Sequence, residues 1–377
     1  MALEDVITLT KKLVAFNSIN PPGNEKTIAE FTGRILSENG FTVDYIPFEE
    51  NRIHIIAERG CNRTDAPIIL SGHFDTVPLG TKNWCFDPFG GEIKDGKLYG
   101  RGSSDMKGGI AAMLVAAIHA FEQGNPFGGV KLIFTAGEEL GCQGAEHLVS
   151  TCNDLGKARG IIVGEPTANL PAIGHKGGLY LELEASGESA HSSMPHLGDN
   201  AIYKIARAIT KIESFDFGVE EDDLLGFPTI NVGKVAGGLN LNSVPDRASF
   251  TIDARTTSKV NHKQLLEKLK NELGGEIKIK TLVDLPAVSS PEKSLFIQQV
   301  YSACDICSYT EGFPKSLPYL TDASVLQTAF GGVPTVILGP GQPEMAHQTD
   351  EFCYTNNLEK AVEIYKNIIL NKGDDNE

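Results

Sequence analysis

Four short apolar runs punctuate the chain, and each runs out into a carboxylate or a histidine. Ile68-Ile69-Leu70 leads to His73 and Asp75, and Leu132-Ile133-Phe134 to Glu138 and Glu139. Ile161-Ile162-Val163 leads to Glu165, and Val336-Ile337-Leu338 to His347. As neighbouring strands of one sheet, these runs would bring their polar ends together at its carboxyl edge, where open α/β sheets hold their sites. Two histidines among several carboxylates there point to a metal centre.

The pattern between the runs supports that sheet. Over the first 173 residues helices alternate with apolar strands, the signature of an α/β fold. One helix begins just after the start methionine. Asn24 caps a second, whose Ile28, Thr32, Ile35 and Leu36 recur at helical spacing, and Gly40 ends it by tolerating a left-handed backbone. Strands are expected near 41–48, 52–58 and 67–71. Asp105 precedes the alanine-rich helical stretch from Lys107 to Phe121, so its carboxylate is expected at or near a helix start.

From about Gly174 the pattern changes. Leu181, Leu183 and Ala185 alternate with Glu182 and Glu184, as in a sheet with one wet face. Through residue 285 the order reads strand (179–188), helix (200–213), strand (229–236), strand (247–255), helix (260–273), strand (276–283). That β-α-β-β-α-β order is ferredoxin-like. The first domain resumes near Pro286 with a helix, the strand Pro334 to Leu338 and a last helix from Leu358 to Leu370. The expectation is a discontinuous domain, 1–173 and 286–377, interrupted by an α+β domain at 174–285.

Composition narrows the chemistry. A chain of 377 residues, 41% hydrophobic and 22% charged, buries a large core and is neither fibrous nor disordered. Its net charge of −16 argues against a nucleic-acid partner, whose phosphates need Lys and Arg, and suits divalent cations. Seven cysteines, an odd number, read as reduced thiols of a cytosolic protein, and the Cys304 and Cys307 pair as packing. The acidic start lacks the basic residues of a secretory leader. The apolar stretch from Gly108 to Phe121 is too short to span a bilayer, so a cytoplasmic protein with no membrane partner is expected.

His73 and Asp75, two apart in extended chain, share a face, and a carboxylate beside a ligating imidazole fixes its tautomer. Asp105, in the glycine-rich Gly100-Arg-Gly-Ser-Ser-Asp-Met-Lys-Gly-Gly segment, can bridge two cations through its two oxygens. A phosphate loop is excluded there because its Gly-x4-Gly-Lys-Ser/Thr spacing is missing. Glu138 and Glu139 diverge as neighbours do, so one can bind metal while the other moves a proton; a solvated acidic pair is the other reading of their position alone.

These motifs, in this order and over nearly the whole chain, resemble those of the M20 metallopeptidases and amidohydrolases. The resemblance rests on Ser-Gly-His-Phe-Asp-Thr-Val-Pro, the Asp105 segment, the Glu pair, Gly-Glu-Pro-Thr at 164–167 and the late His347. It implies a zinc-peptidase-like catalytic domain with a central mixed sheet, the inserted domain serving as lid and dimerisation domain. It implies two Zn2+, with Co2+ or Mn2+ as possible substitutes: one held by His73 and Glu165, the other by Glu139 and His347, with Asp105 as the bridge. Asp75 would orient the histidine and Glu138 would be the general base. His191, in the second domain, would meet the oxyanion across a homodimer, and Asn242 and Arg255 would bind substrate. Arg255 could clamp a substrate carboxylate, and an ion pair to Asp253 is its other use.

Within that family the segment from Gly339 to Glu351 looks more like acetylornithine deacetylase than like the desuccinylase, apart from Thr349 where proline is common. The expected reaction is removal of an acyl group from N-acetylornithine. Succinyl-diaminopimelate desuccinylase, aminoacylase and dipeptidase or carboxypeptidase activities are the alternatives. A non-catalytic metal-binding protein would be free to lose Glu138 or a ligand candidate, and none is lost. A sugar- or nucleotide-binding α/β protein would leave His347 and the Glu pair without a purpose.

Overall fold

The computed structural model describes residues 4–62, 64–152, 154–306 and 315–371. The chain forms two compact units, the first from residues 1–174, 289–315 and 321–377 and the second from 175–288 and 316–320. The short piece 316–320 was expected in the first unit. It joins the second because the Lys176 amide donates to the Leu317 carbonyl at 3.1 Å and His175 bridges Leu317 in parallel.

The first unit is organised on a six-stranded mixed sheet. Its spatial order is Thr42–Glu49, Arg52–Arg59, Val130–Thr135, Ile68–His73, Gly160–Val163, Thr335–Ile337. The first two form a hairpin turned at Glu50 and Asn51, with Asn51 left-handed at φ 59°. The other four are the four apolar runs. They lie side by side and parallel, every residue buried, with His73 in register with Thr135 and Ser71 with Val163. All four therefore deliver the polar segments at their carboxyl ends to the same edge.

The helix Val6–Val14 is capped by Asp5, which accepts from the Ile7 and Thr8 amides. The helix Lys26–Glu38 departs from expectation, because Glu25 rather than Asn24 sits at its cap position and makes no capping bond. That carboxylate is instead spent on Arg52, in a buried ion pair of 2.7 Å. The helix Lys107–Gln123 is buried on nearly every side, which explains its run of alanine and glycine. A Cβ on Gly109 would meet the Gly164 carbonyl oxygen at 2.4 Å, so only glycine lets the helix lie this close to the strand end that carries Glu165.

In the second unit the strands Gly177–Ser186, Thr229–Gly237, Arg247–Thr256 and Ile277–Leu285 form one antiparallel sheet. The first strand to be made lies between the third and the fourth, and the second is at an edge, which is the ferredoxin-like arrangement. Leu179, Leu181, Leu183, Phe250 and Ile252 face the helices Ala201–Glu213 and His262–Leu273, contributing Ile205, Leu265 and Leu269 to one apolar core. The strand alternation read from the sequence is thus one face packed on helices. Cys307 and the acidic tail lie outside the described residues.

Gly109→Ala is expected to destabilise the protein by about 1–3 kcal/mol, since the opposing atom is backbone and cannot step aside. Gly124→Ala, where an added methyl meets nothing within 4 Å, is the control and should be near neutral. Urea unfolding of both variants checks this, and equal midpoints would contradict the packing argument.

Candidate metal centre

The sheet edge gathers the expected groups. His73 ends its strand, Glu138 and Glu139 follow Val130–Thr135, Glu165 follows Gly160–Val163, and His347 lies beyond Thr335–Ile337. Asp105 comes from the loop leading into the Lys107–Gln123 helix. His73 Nε2 lies 3.3 Å from Asp105 Oδ1 and 3.6 Å from Glu165 Oε1. His347 Nε2 lies 3.0 Å from Glu139 Oε2 and 3.5 Å from Asp105 Oδ2. Asp105 thus turns one oxygen to each histidine–glutamate pair. In each triad the ligand atoms lie within 4.8 Å of one another.

The support beneath these groups is made of backbone dipoles. His73 Nδ1 lies 2.9 Å from the Asp75 carbonyl oxygen, which can only accept, so Nδ1 carries the hydrogen and Nε2 is the atom turned to Asp105 and Glu165. The Asp75 carboxylate has a different task from orienting the ring alone. It accepts from the amides of Gly137 (2.9 Å), Glu138 (3.0 Å) and Glu139 (3.1 Å) and from Asn20 Nδ2 (2.9 Å), pinning the turn that bears the glutamate pair. Burial opposes its charge, but His73 and these bonds win and hold its pKa far below the usual range.

Two buried carboxyls were not among the sequence candidates. Glu351 accepts from the amides of Gly102, Ser104 and Asp105 and from Arg101 Nη1 at 2.7 Å, and so fixes the loop that presents Asp105. The signal was an acid four residues past His347 and a glycine-rich loop with amides to satisfy. Asp322 accepts from Thr135 Oγ1 at 2.5 Å. Its place before the helix Ala323–Ala329 reads as an N-cap, yet its side chain makes no capping bond.

The site's electrostatics favour added positive charge. Burial raises the pKa of Glu165 to about 8 and that of Glu138 well above its usual range, in both cases against the opposing pull of His73, and burial followed by the Asp105 charge raises that of Glu139. Burial works against a charged His73, but Glu165, Asp105 and Asp75 outweigh it and raise its pKa. His73 Nε2, Asp105 Oδ1 and Glu139 Oε1 are buried with no hydrogen-bond partner. Orphaned acceptors of this kind, on imidazole and carboxylate, fit divalent cations.

In the second unit, His191 is exposed, with Nδ1 2.7 Å from Ser193 Oγ, and pairs in a bridge with Ser243. Asn242 is exposed, and its carbonyl accepts from the Ser192 amide at 3.0 Å, so His191 and Asn242 belong to one surface. Arg255 takes its alternative use. Its Nε lies 2.8 Å and Nη2 3.0 Å from the two oxygens of Asp253, and its guanidinium sits 5.1 Å from the Tyr180 ring centre.

Residues 69–371 match the model of Peptidase family M20/M25/M40. A "Probable succinyl-diaminopimelate desuccinylase" of Staphylococcus epidermidis (strain ATCC 12228 / FDA PCI 1200) is 32% identical, the alignment covering 97% of each chain. An "Acetylornithine deacetylase" of Vibrio atlanticus (strain LGP32) is 30% identical, again over 97% of each. The structure of an M20 family metallo-carboxypeptidase from Sulfolobus solfataricus superposes with a TM-score of 0.80 at 20% identity, covering 97% of this chain and 99% of its own.

Behind the glutamate turn, the Ala136 amide donates to His54 Nδ1 at 3.0 Å, which leaves the His54 Nε2 hydrogen for His147 Nδ1 at 3.2 Å. Burial, then His147 and Arg52, lowers the His54 pKa to about 3. The unfolded chain protonates this ring near pH 6.5, the folded one only near 3. Its contribution is therefore complete above pH ~6.5 and is lost as pH falls, at up to about 1.4 kcal/mol per pH unit. Urea midpoints measured from pH 7 to 4.5 should decline less steeply in His54→Asn, which keeps an acceptor for Ala136 but does not titrate. Parallel slopes would show that His54 has no part in the pH dependence.

Proposed function

The chain belongs to peptidase family M20/M25/M40 and is a metal-dependent hydrolase; from that premise we propose that it removes the acyl group from an N-acyl diamino acid, with two zinc ions. The observation that carries this reading is the split of Asp105, one oxygen toward His73 and Glu165, the other toward Glu139 and His347. That donor set would hold one cation in each half, with Asp105 shared. Cations bound there supply Lewis acidity, acidifying water and polarising the amide carbonyl.

The remaining steps belong to the chain. Glu138, buried and raised in proton affinity, takes a proton from the attacking water as its oxygen bonds to the amide carbon. His191 donates to the oxyanion that forms. As the carbon–nitrogen bond breaks, Glu138 passes its proton to the departing amine, leaving a carboxylate and a free amino group. Asp75 acts by holding the 137–139 amides, and so Glu138 and Glu139, in place. Asn242 and Arg255 meet the substrate. Paired with Asp253 through Nε and Nη2, Arg255 keeps both Nη1 hydrogens and one on Nη2 for a substrate carboxylate, whose affinity the Asp253 charge lowers.

N-acetylornithine is the first substrate on the residues from Gly339 to Glu351 and on the relative named as its deacetylase. N-succinyl-diaminopimelate is the second, favoured by the 32% identical relative. The six described cysteines are unpaired, which suits a reducing cytoplasm. No helix among the described residues is long and apolar enough to cross a membrane.

A homodimer through the second unit is part of the proposal. The strand Thr229–Gly237 is a sheet edge, and beyond it Leu239 is 92% and Leu241 100% exposed, an apolar surface that a second copy would cover. His191 then acts in the partner's site.

Initial rates on N-acetylornithine, N-succinyl-diaminopimelate, N-acetylmethionine and a dipeptide, with Zn2+, Co2+ or Mn2+ restored to chelated protein, test the substrate. One acyl diamino acid should dominate, and Glu138→Ala should lower kcat by about 10²–10⁴-fold. Preference for the dipeptide would overturn the deacylase reading. Mixed Glu138→Ala and His191→Ala proteins, each inactive alone, should regain activity on subunit exchange, and sedimentation should give a dimer. A fully active monomer would exclude action in trans.

A further inference from the structure

Beneath Glu138 lie two buried groups that the hydrolytic steps do not use, Cys142 and Asp322, and with Glu138 they make a third donor cluster. Cys142 Sγ is 3.6 Å from Glu138 Oε1, and one donor atom each of Glu138, Cys142 and Asp322 lies within 4.8 Å of the others. Cys142 and Asp322 are buried, and Glu138 is 9% exposed. Asp322 Oδ2 accepts from Thr135 Oγ1, but Oδ1 is buried with no hydrogen-bond partner. The thiol adjoins both carboxyls, yet its single hydrogen serves one at a time. Cys142 also sits at φ 57°, a left-handed backbone that suits glycine and strains a side chain.

We propose that Cys142, Asp322 and Glu138 form a further divalent-cation site, selective for a thiophilic ion such as Zn2+ or Cd2+, and that filling it inhibits the enzyme. The inhibition rests on Glu138 being the general base. On binding, the Cys142 thiol releases its proton to water and its sulfur bonds the cation, Asp322 contributes the orphaned Oδ1, and Glu138 exchanges the thiol contact for the ion. One thiolate and two carboxylates suit zinc or cadmium, whereas magnesium and calcium prefer all-oxygen sites. The two triads above contain only imidazole and carboxylate, so sulfur distinguishes this site from them.

The test titrates Cd2+ into the protein already holding two equivalents of Zn2+, following both the ultraviolet thiolate-to-cadmium band and the initial rate. Cadmium that displaces zinc from the two triads gives no such band, because those donors include no sulfur. One further equivalent should raise the band in step with a rate loss of about 10²-fold or more, as expected when a general base is withdrawn. Cys142→Gly, which relieves the left-handed backbone, should lose the band and the inhibition relative to its own starting rate. Asp322→Asn should weaken both. A band of the same size and affinity in Cys142→Gly would assign it to another cysteine and overturn the site. So would inhibition without a band, or no further equivalent bound. Absence of hydrolysis on every substrate would sink the proposed function, while the band and its loss in Cys142→Gly would still decide the site.

Discussion

Crowding of carboxyl groups at one buried sheet edge is the constraint on which the rest of this structure depends. Removing a carboxylate from water costs several kcal/mol unless opposite charge or oriented dipoles meet it. Asp75 and Glu351 are met by dipoles, each gathering three backbone amides, and Glu351 has Arg101 as well. Asp105, Glu139 and Glu165 receive no comparable cradle, and their proton affinities respond to burial and to one another. The edge thus separates carboxylates satisfied by the fold from those without such a cradle, the ones that the proposed function gives to cations.

That division explains why the loops are held so firmly. A ligand set for two cations needs its atoms placed within a few tenths of an ångström, and loops are ordinarily the least fixed parts of a chain. Here two of the loops are tied by a carboxylate from elsewhere in the sequence. Asp75 holds the 137–139 turn across more than sixty residues, and Glu351 holds the 102–105 loop across about 250. Close backbone approaches add to this, since Gly109 under Gly164 and Gly144 against Ala136 leave no room for a side chain. His54 closes the same layer from behind by accepting the Ala136 amide.

Much of this was legible in the residues. Apolar runs ending in ligand-type side chains identify strands and their functional ends because parallel strands all finish at one edge, and the alternation at Leu181 to Ala185 exposes a sheet with one packed face. Less legible were groups whose job is to satisfy backbone. Glu351 and Asp322 look like any acid near a helix or turn, and nothing local to Glu25 announces that its carboxylate is taken up by Arg52. The pairing of Arg255 with Asp253 was one of two uses the sequence allowed, and geometry chose it.

By itself the sequence determined the alternation of elements, the insertion of a ferredoxin-like unit and the roster of histidines and carboxylates at strand ends. These follow from local periodicity and spacing, which a chain carries wherever it goes. Tertiary structure alone decided which oxygen of Asp105 faces which histidine, that the 316–320 segment joins the second unit, and that a thiol and a second acid lie beneath Glu138. Those facts depend on distances between residues tens to hundreds of positions apart, and such distances are fixed only when the sheet, its covering helix and the amide-bound carboxylates close on one another.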